Sequence, residues 1–340
     1  MAKLLTVALI GKGYFFDLPK PFLPFFPLFD HIPGLLFQSI LNTGAVVFVI
    51  LLFTNKKVRL SCFVLGAIFL TGTLSSKIYY SNAKVYCGLI YLMTALNENR
   101  RRPWLIQLQI IVVYFGAGIN KLFELDWRTG QYFDHWMVNV IQARFYTFLA
   151  DATSHEILAK IFSWKTIVVE IVVLPLTLLF KRWHRVGIWI GMVFHTFAFW
   201  LAGFSFEVFY SAILISYISF AQFPSKIYVN GLGWNFSSRL LKDTLQWFDS
   251  DNLFKFVDKD NMAQSDGFII DFGEKQDWIS RLARLRFLLI YHPLTYIIFT
   301  FFLTLPFLPN ITQHFTGLSC MILFFPFYKP LKQPVEAYFS

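Results

Sequence analysis

Residues 35–53, "LLFQSILNTGAVVFVILLF", run for nineteen positions without one charged side chain. A helix of that length and character covers the hydrocarbon core of a bilayer, which takes roughly 20 apolar residues. Six further segments, 58–76, 78–96, 104–122, 163–180, 186–203 and 204–222, read the same way, so the chain is expected to cross a membrane repeatedly. The overall balance agrees: 56% hydrophobic and 15% charged residues do not describe an ordinary soluble domain. Three basic turns, "NKKVR" (55–59), "ENRRR" (98–102) and "KRWHR" (181–185), follow the first, third and fifth segments. Alternation therefore puts all three on the cytoplasmic side, where basic loops belong. The link 123–162 then lies outside, with Glu124, Asp126, Asp134, Asp151 and Glu156 outnumbering Arg128, Arg144 and Lys160. The net charge of +10 is thus assigned to topology and not to nucleic-acid binding. Prolines at 19, 21, 24, 27 and 33 oppose a regular span in residues 1–34, which read as a short helix and an interfacial or re-entrant segment.

After residue 223 the composition changes. Residues 224–286 hold nine acidic and nine basic side chains. They include strand-like "KIYVN", "LFKFV" and "GFIIDF", with an amphipathic helix "FSSRLLKDTLQWF" between the first two. Two apolar stretches, 287–308 and 311–328, and a basic tail follow. The expected fold is an all-α polytopic membrane protein of seven to nine transmembrane helices with a small cytoplasmic α/β insert. Its parts are a membrane domain (1–222), a soluble α/β element (223–286) and C-terminal membrane-associated helices (287–340). Cys62, Cys87 and Cys320 have no metal-ligand or disulfide spacing, so no metal is expected. The "VNGLGWN" stretch with Asn230, Gly231 and Gly233 completes no phosphate-binding motif and reads as a turn.

Ionisable side chains inside apolar helices mark candidate sites, because burying a charge in lipid is expensive. Lys121 comes nineteen residues after Arg102, about 28 Å along a helix, near the outer edge of the hydrocarbon. Ala117 and Gly118 lie one turn earlier and Tyr114 two turns earlier, leaving room beside the lysine for another helix or a bound molecule. An amine that has lost its proton in an apolar niche serves as a general base. Alternatively Lys121 snorkels to the headgroups, pairs with Glu124, or pairs with Glu207, which starts the seventh segment at a similar depth. Glu170 and His195 lie thirteen and twelve residues either side of the "KRWHR" centre, so a straight hairpin brings them level and in reach of each other. Trp127 suits an interfacial anchor and Gly130 a helix stop.

The stretch "YFGAGINKLFELDWRTGQYFDHW" (114–136) resembles the signature of the vitamin K-dependent gamma-carboxylase and its bacterial relatives, the horizontally transferred transmembrane (HTTM) family. The shared positions are Ala117, Gly118, Lys121, Leu122, Asp126, Trp127 and Gly130, with His135 and Trp136 after them. "FHTFAFWLAGFSFEVFYSAIL" from Phe194 is similar to a second landmark of that family. The resemblance implies that Lys121 deprotonates a reduced quinone resembling vitamin K hydroquinone. It also implies an outward-facing pocket walled by Tyr114, Ala117, Gly118, Asp126, Trp127, Gly130 and Glu207, with Glu170 and His195 as further catalytic candidates. In two respects the chain differs from the carboxylase branch: Ala83 stands where a functional histidine is expected, and the large extracytoplasmic domain has no counterpart. Residues 226–257 faintly resemble the DCC thiol-disulfide oxidoreductase-like domains. Asn230, Gly233 and Phe236 replace their Asp and two Cys, so such a domain is redox-inactive.

Three functional readings follow. The first is a carboxylase-like or quinol-oxidising enzyme of the bacterial inner (plasma) membrane. In the second the chain is an accessory membrane protein for maturation or export of a secreted peptide. The third is a transporter using Glu170 and His195 as a proton relay. The partners expected are the lipid bilayer and a small quinone or a secreted peptide.

Overall fold

A computed structural model describes residues 1–220, apart from 12, 16–17, 98–102 and 203–206, together with four strands and a few single positions between 226 and 279. The "ENRRR" turn, most of 231–267 and everything after residue 279 lie outside the described residues. The chain divides into two compact units, one of residues 1–103 and 221–340, the other of residues 104–220.

The first unit contains α1 (Ala2–Gly11), α2 (Gly34–Phe53), α3 (Val58–Ser75) and α4 (Asn82–Leu96). Among the described residues between α1 and α2, where the prolines oppose a regular helix, there are a 3-10 turn, Pro27–His31, and a bridge from Phe22 to Ser76. α2 leaves Leu35, Leu36, Ile40, Val47 and Ile50 exposed, an apolar face of the kind that lipid covers. α3 and α4 approach closely, since a Cβ on Gly66 would lie 2.9 Å from the carbonyl oxygen of Gly88. α4 begins later than the expected span at 78 because the Ser81 hydroxyl accepts a hydrogen bond from the Lys84 N–H at 3.2 Å, capping the helix there. Its 15 residues reach about 22 Å, short of a bilayer's hydrocarbon.

Four short strands also belong to this unit: β1 (Lys226–Asn230), β2 (Phe254–Val257), β3 (Phe268–Asp271) and β4 (Gln276–Ile279). They form one sheet in the order β2-β1-β3-β4, with β1 parallel to β2 and antiparallel to β3, and β3 antiparallel to β4. β1 to β3 fall where the sequence pattern places strands, and β4 is a fourth that the pattern does not reveal. Most of the helix predicted between β1 and β2 lies outside the described residues.

The second unit opens with α5 (Trp104–Phe123). The link after it is folded into α6 (Leu125–Thr129), α7 (Gln131–His135) with a π-helical turn at Trp136–Val140, and α8 (Arg144–Ala152). α9 (His155–Val168) starts at Ser154, whose hydroxyl accepts from the Ile157 N–H. It continues through a second π-helical turn, Val169–Val173, into α10 (Leu174–Leu179). Pro175 accounts for this widening, because proline has no N–H to donate and its ring clashes with the carbonyl four residues back. α11 (His184–Ala202) and α12 (Glu207–Tyr217) complete the unit. The link packs on α9 through a cluster that includes Phe133, Met137, Tyr146, Ala150 and Ala159. Gly130 makes that packing possible: its φ is +87°, and a Cβ would lie 2.6 Å from the Lys160 nitrogen.

The protein is mostly helical. Among the described residues three helices, α2, α3 and α5, are long and apolar enough to cross a membrane. Three is fewer than the expected seven to nine, and the expected spans at 287–308 and 311–328 lie outside the described residues. The segment at 163–180 begins inside the longer rod that starts at His155, and the described part of 204–222 is the 11-residue α12 followed by a 3-10 turn, Ile218–Phe220.

Candidate functional site

The last two turns of α5 carry the lysine toward the α9–α10 rod. A Cβ on Gly118 would lie 2.5 Å from Ile171 Cγ1 and 3.0 Å from both Glu170 Cβ and the Ile171 nitrogen, so only glycine lets the two backbones approach this closely. The approach brings Lys121 Nζ within 2.5 Å of Glu170 Oε2. Both side chains are largely shielded, 18% and 10% exposed, which makes this a strong charge-assisted contact. Lys121 also lies 5.2 Å from the centre of the Trp127 ring and 3.5 Å from the Ala117 carbonyl oxygen. Trp127 in turn stacks on Tyr132 at 5.1 Å. Glu170 sits inside the π-helical turn, a distortion that recurs at functional sites because it re-aims one side chain out of the regular helical register.

Two turns back along α5, the buried Tyr114 hydroxyl meets His195 Nε2 at 2.6 Å and also pairs with the Tyr217 hydroxyl. Tyr217 reaches that position across Gly191 of α11, where a side chain would fill its place. The predicted Glu170–His195 pair is therefore not made. Glu170 meets α5 at Lys121 and His195 meets it at Tyr114, about 10 Å apart along the helix. The level-hairpin expectation treats 163–180 as a straight helix, and the π-helical turn breaks that register.

Both contacts open on one cavity of about 750 Å³, within the range of small-molecule sites. Tyr114, Ala117 and Lys121 of α5 line it, with Trp127 and Phe133 from the link, Glu170 from the rod, and Trp189 and His195 from α11. The wall is otherwise chiefly apolar and aromatic. Of the other expected pocket residues, Gly118 and Gly130 stand behind the wall as helix-contact points, and Asp126 is exposed outside it, its carbonyl accepting from the Thr129 hydroxyl at 3.2 Å. Lys121 pairs with Glu170, and no ion pair joins it to Glu124 among the described residues. The Glu207 side chain lies outside the described residues.

Lining residues that were not legible as site residues include Lys165 and Thr166 of α9 and Trp189 of α11. Lys165 falls inside a predicted span, a signal of the same kind that singled out Lys121. Tyr217 gave no signal of its own.

Next to the cavity, the folded link is tied by a polar cluster. Asp134 Oδ1 accepts from the Tyr146 hydroxyl at 2.7 Å and lies 2.8 Å from His155 Nδ1, whose Nε2 lies 3.1 Å from Asp151. The hydrogen bonds to Asp134 and Asp151 raise the His155 pKa above its ordinary value. Among the described residues no group of His, Cys, Asp and Glu could hold a metal ion.

Residues 99–223 match the HTTM domain family. The HTTM segment takes in the whole second unit and every residue that lines the cavity. It also contains both stretches that carry the sequence resemblance. With the apolar helices, the HTTM match points to a membrane protein. No curated protein and no solved structure matches the chain.

Proposed function

We propose that this chain is a multi-pass inner-membrane enzyme related to the vitamin K-dependent gamma-carboxylases. In this reading the Lys121–Glu170 pair removes the hydroxyl proton of a reduced quinone. The observation that carries it is the meeting of that pair with a ligand-sized, aromatic-walled cavity.

The lining fits such a molecule. Indole and phenyl faces at Trp127, Phe133, Trp136 and Trp189 suit a flat apolar ring, and the amine at the wall suits its hydroxyl. When bound, the quinol supplies a weakly acidic hydroxyl and an electron-rich ring. The chain supplies the proton acceptor. As ammonium and carboxylate, the pair takes up a proton on Glu170; as amine and carboxylic acid, it takes it up on Lys121. Both routes end as Lys121 ammonium beside Glu170 carboxylic acid. The pair then carries +1 against the −1 of the oxyanion it has produced, and the shielded wall strengthens that attraction. Glu170 also fixes the amine on the cavity side of α5, so Lys121 does not snorkel outward.

The transporter reading lacks this support, because no hydrogen bond joins Glu170 to His195. Ala83 leaves peptide carboxylation without the histidine that the carboxylase branch implies, so quinol deprotonation is the step assigned here.

The experiment uses purified protein in nanodiscs with a short-chain reduced quinone. Quenching of tryptophan fluorescence reads binding, and oxygen uptake reads turnover. Lys121→Met is expected to keep quenching and lose oxygen uptake. Undiminished uptake in that variant would overturn the assignment.

A further inference from the structure

The cavity wall carries more positive than negative charge. Lys121 and Lys165 both line it, against the single carboxylate of Glu170. Glu170 is already committed to Lys121 at 2.5 Å. The ammonium of Lys165 makes no ion pair with any described residue, and it is exposed while still bordering the cavity. It stands one turn and a fraction before Glu170 on the same rod, beside the Thr166 hydroxyl, which is also part of the lining. The neighbouring Trp164 is tied to the link through a hydrogen bond from its indole to the Arg128 carbonyl at 3.1 Å, so this part of α9 is held in place.

An amine at the edge of an apolar cavity selects for one class of molecule. Burial of an apolar body gives affinity without direction, and a lone ammonium gives direction by pairing with an anion that stays near water. The two together recognise an amphiphile. A neutral ring alone would leave Lys165 without a use in the site.

We propose that the cavity takes an amphiphile whose apolar body packs among the aromatic side chains and whose single anionic headgroup, a carboxylate or a phosphate monoester, pairs with Lys165. The proposal shares the cavity with the proton chemistry above and rests on that cavity being a ligand site, but it does not depend on Lys121 acting as a base. It gives the site two functional ends: Lys165 sets the position of the headgroup, and the Lys121–Glu170 pair faces the body of the ligand.

The test is binding of three probes to the full chain in nanodiscs of uncharged lipid: a fluorescent polyene fatty acid, its methyl ester, and an alkyl phosphate of equal length. Wild type is expected to bind the acid or the phosphate at least about tenfold more tightly than the ester. The tighter of the two anions identifies the headgroup. Lys165→Met should remove the preference, Lys165→Arg should keep it, and Lys121→Met should keep it while losing oxygen uptake. Because Lys165 is exposed, its replacement leaves packing unchanged, and an unaltered elution profile checks this. Equal affinity for acid and ester, no binding of either anion, or a preference that survives Lys165→Met would each overturn the proposal. If only the headgroup preference fails, with uptake still dependent on Lys121, the proton chemistry stands. If uptake is independent of Lys121 while the preference follows Lys165, the amphiphile site stands alone.

Discussion

Gly118→Ala tests how the site is assembled. The added methyl would sit 2.5 Å from Ile171 Cγ1, 3.0 Å from Glu170 Cβ and 3.0 Å from the Ile171 nitrogen. The first contact can be relieved by rotating a side chain, but the last is backbone. Restoring ordinary contacts of about 3.5–4.0 Å requires α5 and the rod to separate by about 0.5–1 Å. The ion pair, at 2.5 Å, would then lengthen to the limit of a useful hydrogen bond. Overpacking of this kind costs about 1–3 kcal/mol, to which weakening of the pair adds. Ala117→Ser is the matching control, since Ala117 faces the cavity and gains an atom there without meeting the rod. It should change stability by no more than about 0.5 kcal/mol. Equilibrium unfolding in mixed micelles reads both variants, and Ile171→Ala should partly rescue Gly118→Ala by removing the nearest atom. Wild-type stability in Gly118→Ala, or an equal loss in Ala117→Ser, would refute the close-approach argument.

Three further outcomes are expected. Glu170→Gln strands the Lys121 ammonium in a largely shielded site and should cost about 3–5 kcal/mol; adding Lys121→Met should recover part of that loss, whereas additive losses in the double-mutant cycle would show that the two do not interact. Hydrogen bonds to Asp134 and Asp151 raise the His155 pKa in the folded chain. The stability it contributes is therefore fully present below its unfolded value of about 6.5 and is lost as pH rises through the raised value. An unfolding midpoint that falls as pH rises above about 6.5 in wild type and stays flat in His155→Gln would bear this out. Gly130→Ala forces a side chain into a positive-φ position against the Lys160 backbone, and should loosen the link by about 1–3 kcal/mol, measured as faster hydrogen exchange in α7.

The parts of this structure that were legible in sequence are those governed by short-range rules. The bounds of α2, α3 and α5 follow from unbroken apolar runs, and the prolines of residues 19–33 correctly deny a helix there. Lys121 stood out as a candidate because an ionisable side chain in an apolar helix is expensive, but spacing alone left snorkelling and pairing with Glu124 or Glu207 open beside a place in the wall. What stayed hidden depends on distortion and tertiary approach. A depth count around the "KRWHR" turn paired Glu170 with His195. The π-helical turn ahead of Pro175 and the close contact at Gly118 instead delivered Glu170 to Lys121. The link 123–162 reads as a loop by its charges, yet its aromatic residues fold it into short helices that wall the cavity. Lys165 carries the same signal of an ionisable group in an apolar run, but Ile161 and Phe162 stand one turn before it in place of the small residues that precede Lys121.

The central claim is that the Lys121–Glu170 pair takes a proton from a hydroxyl bound in the cavity. The most direct measurement is the visible spectrum of an apolar nitrophenol, coloured only as its phenolate, titrated into nanodiscs near its own pKa. Wild type should raise the phenolate fraction of the bound probe, and Lys121→Met should bind the probe as the neutral phenol. The same phenolate fraction in both proteins would contradict the account.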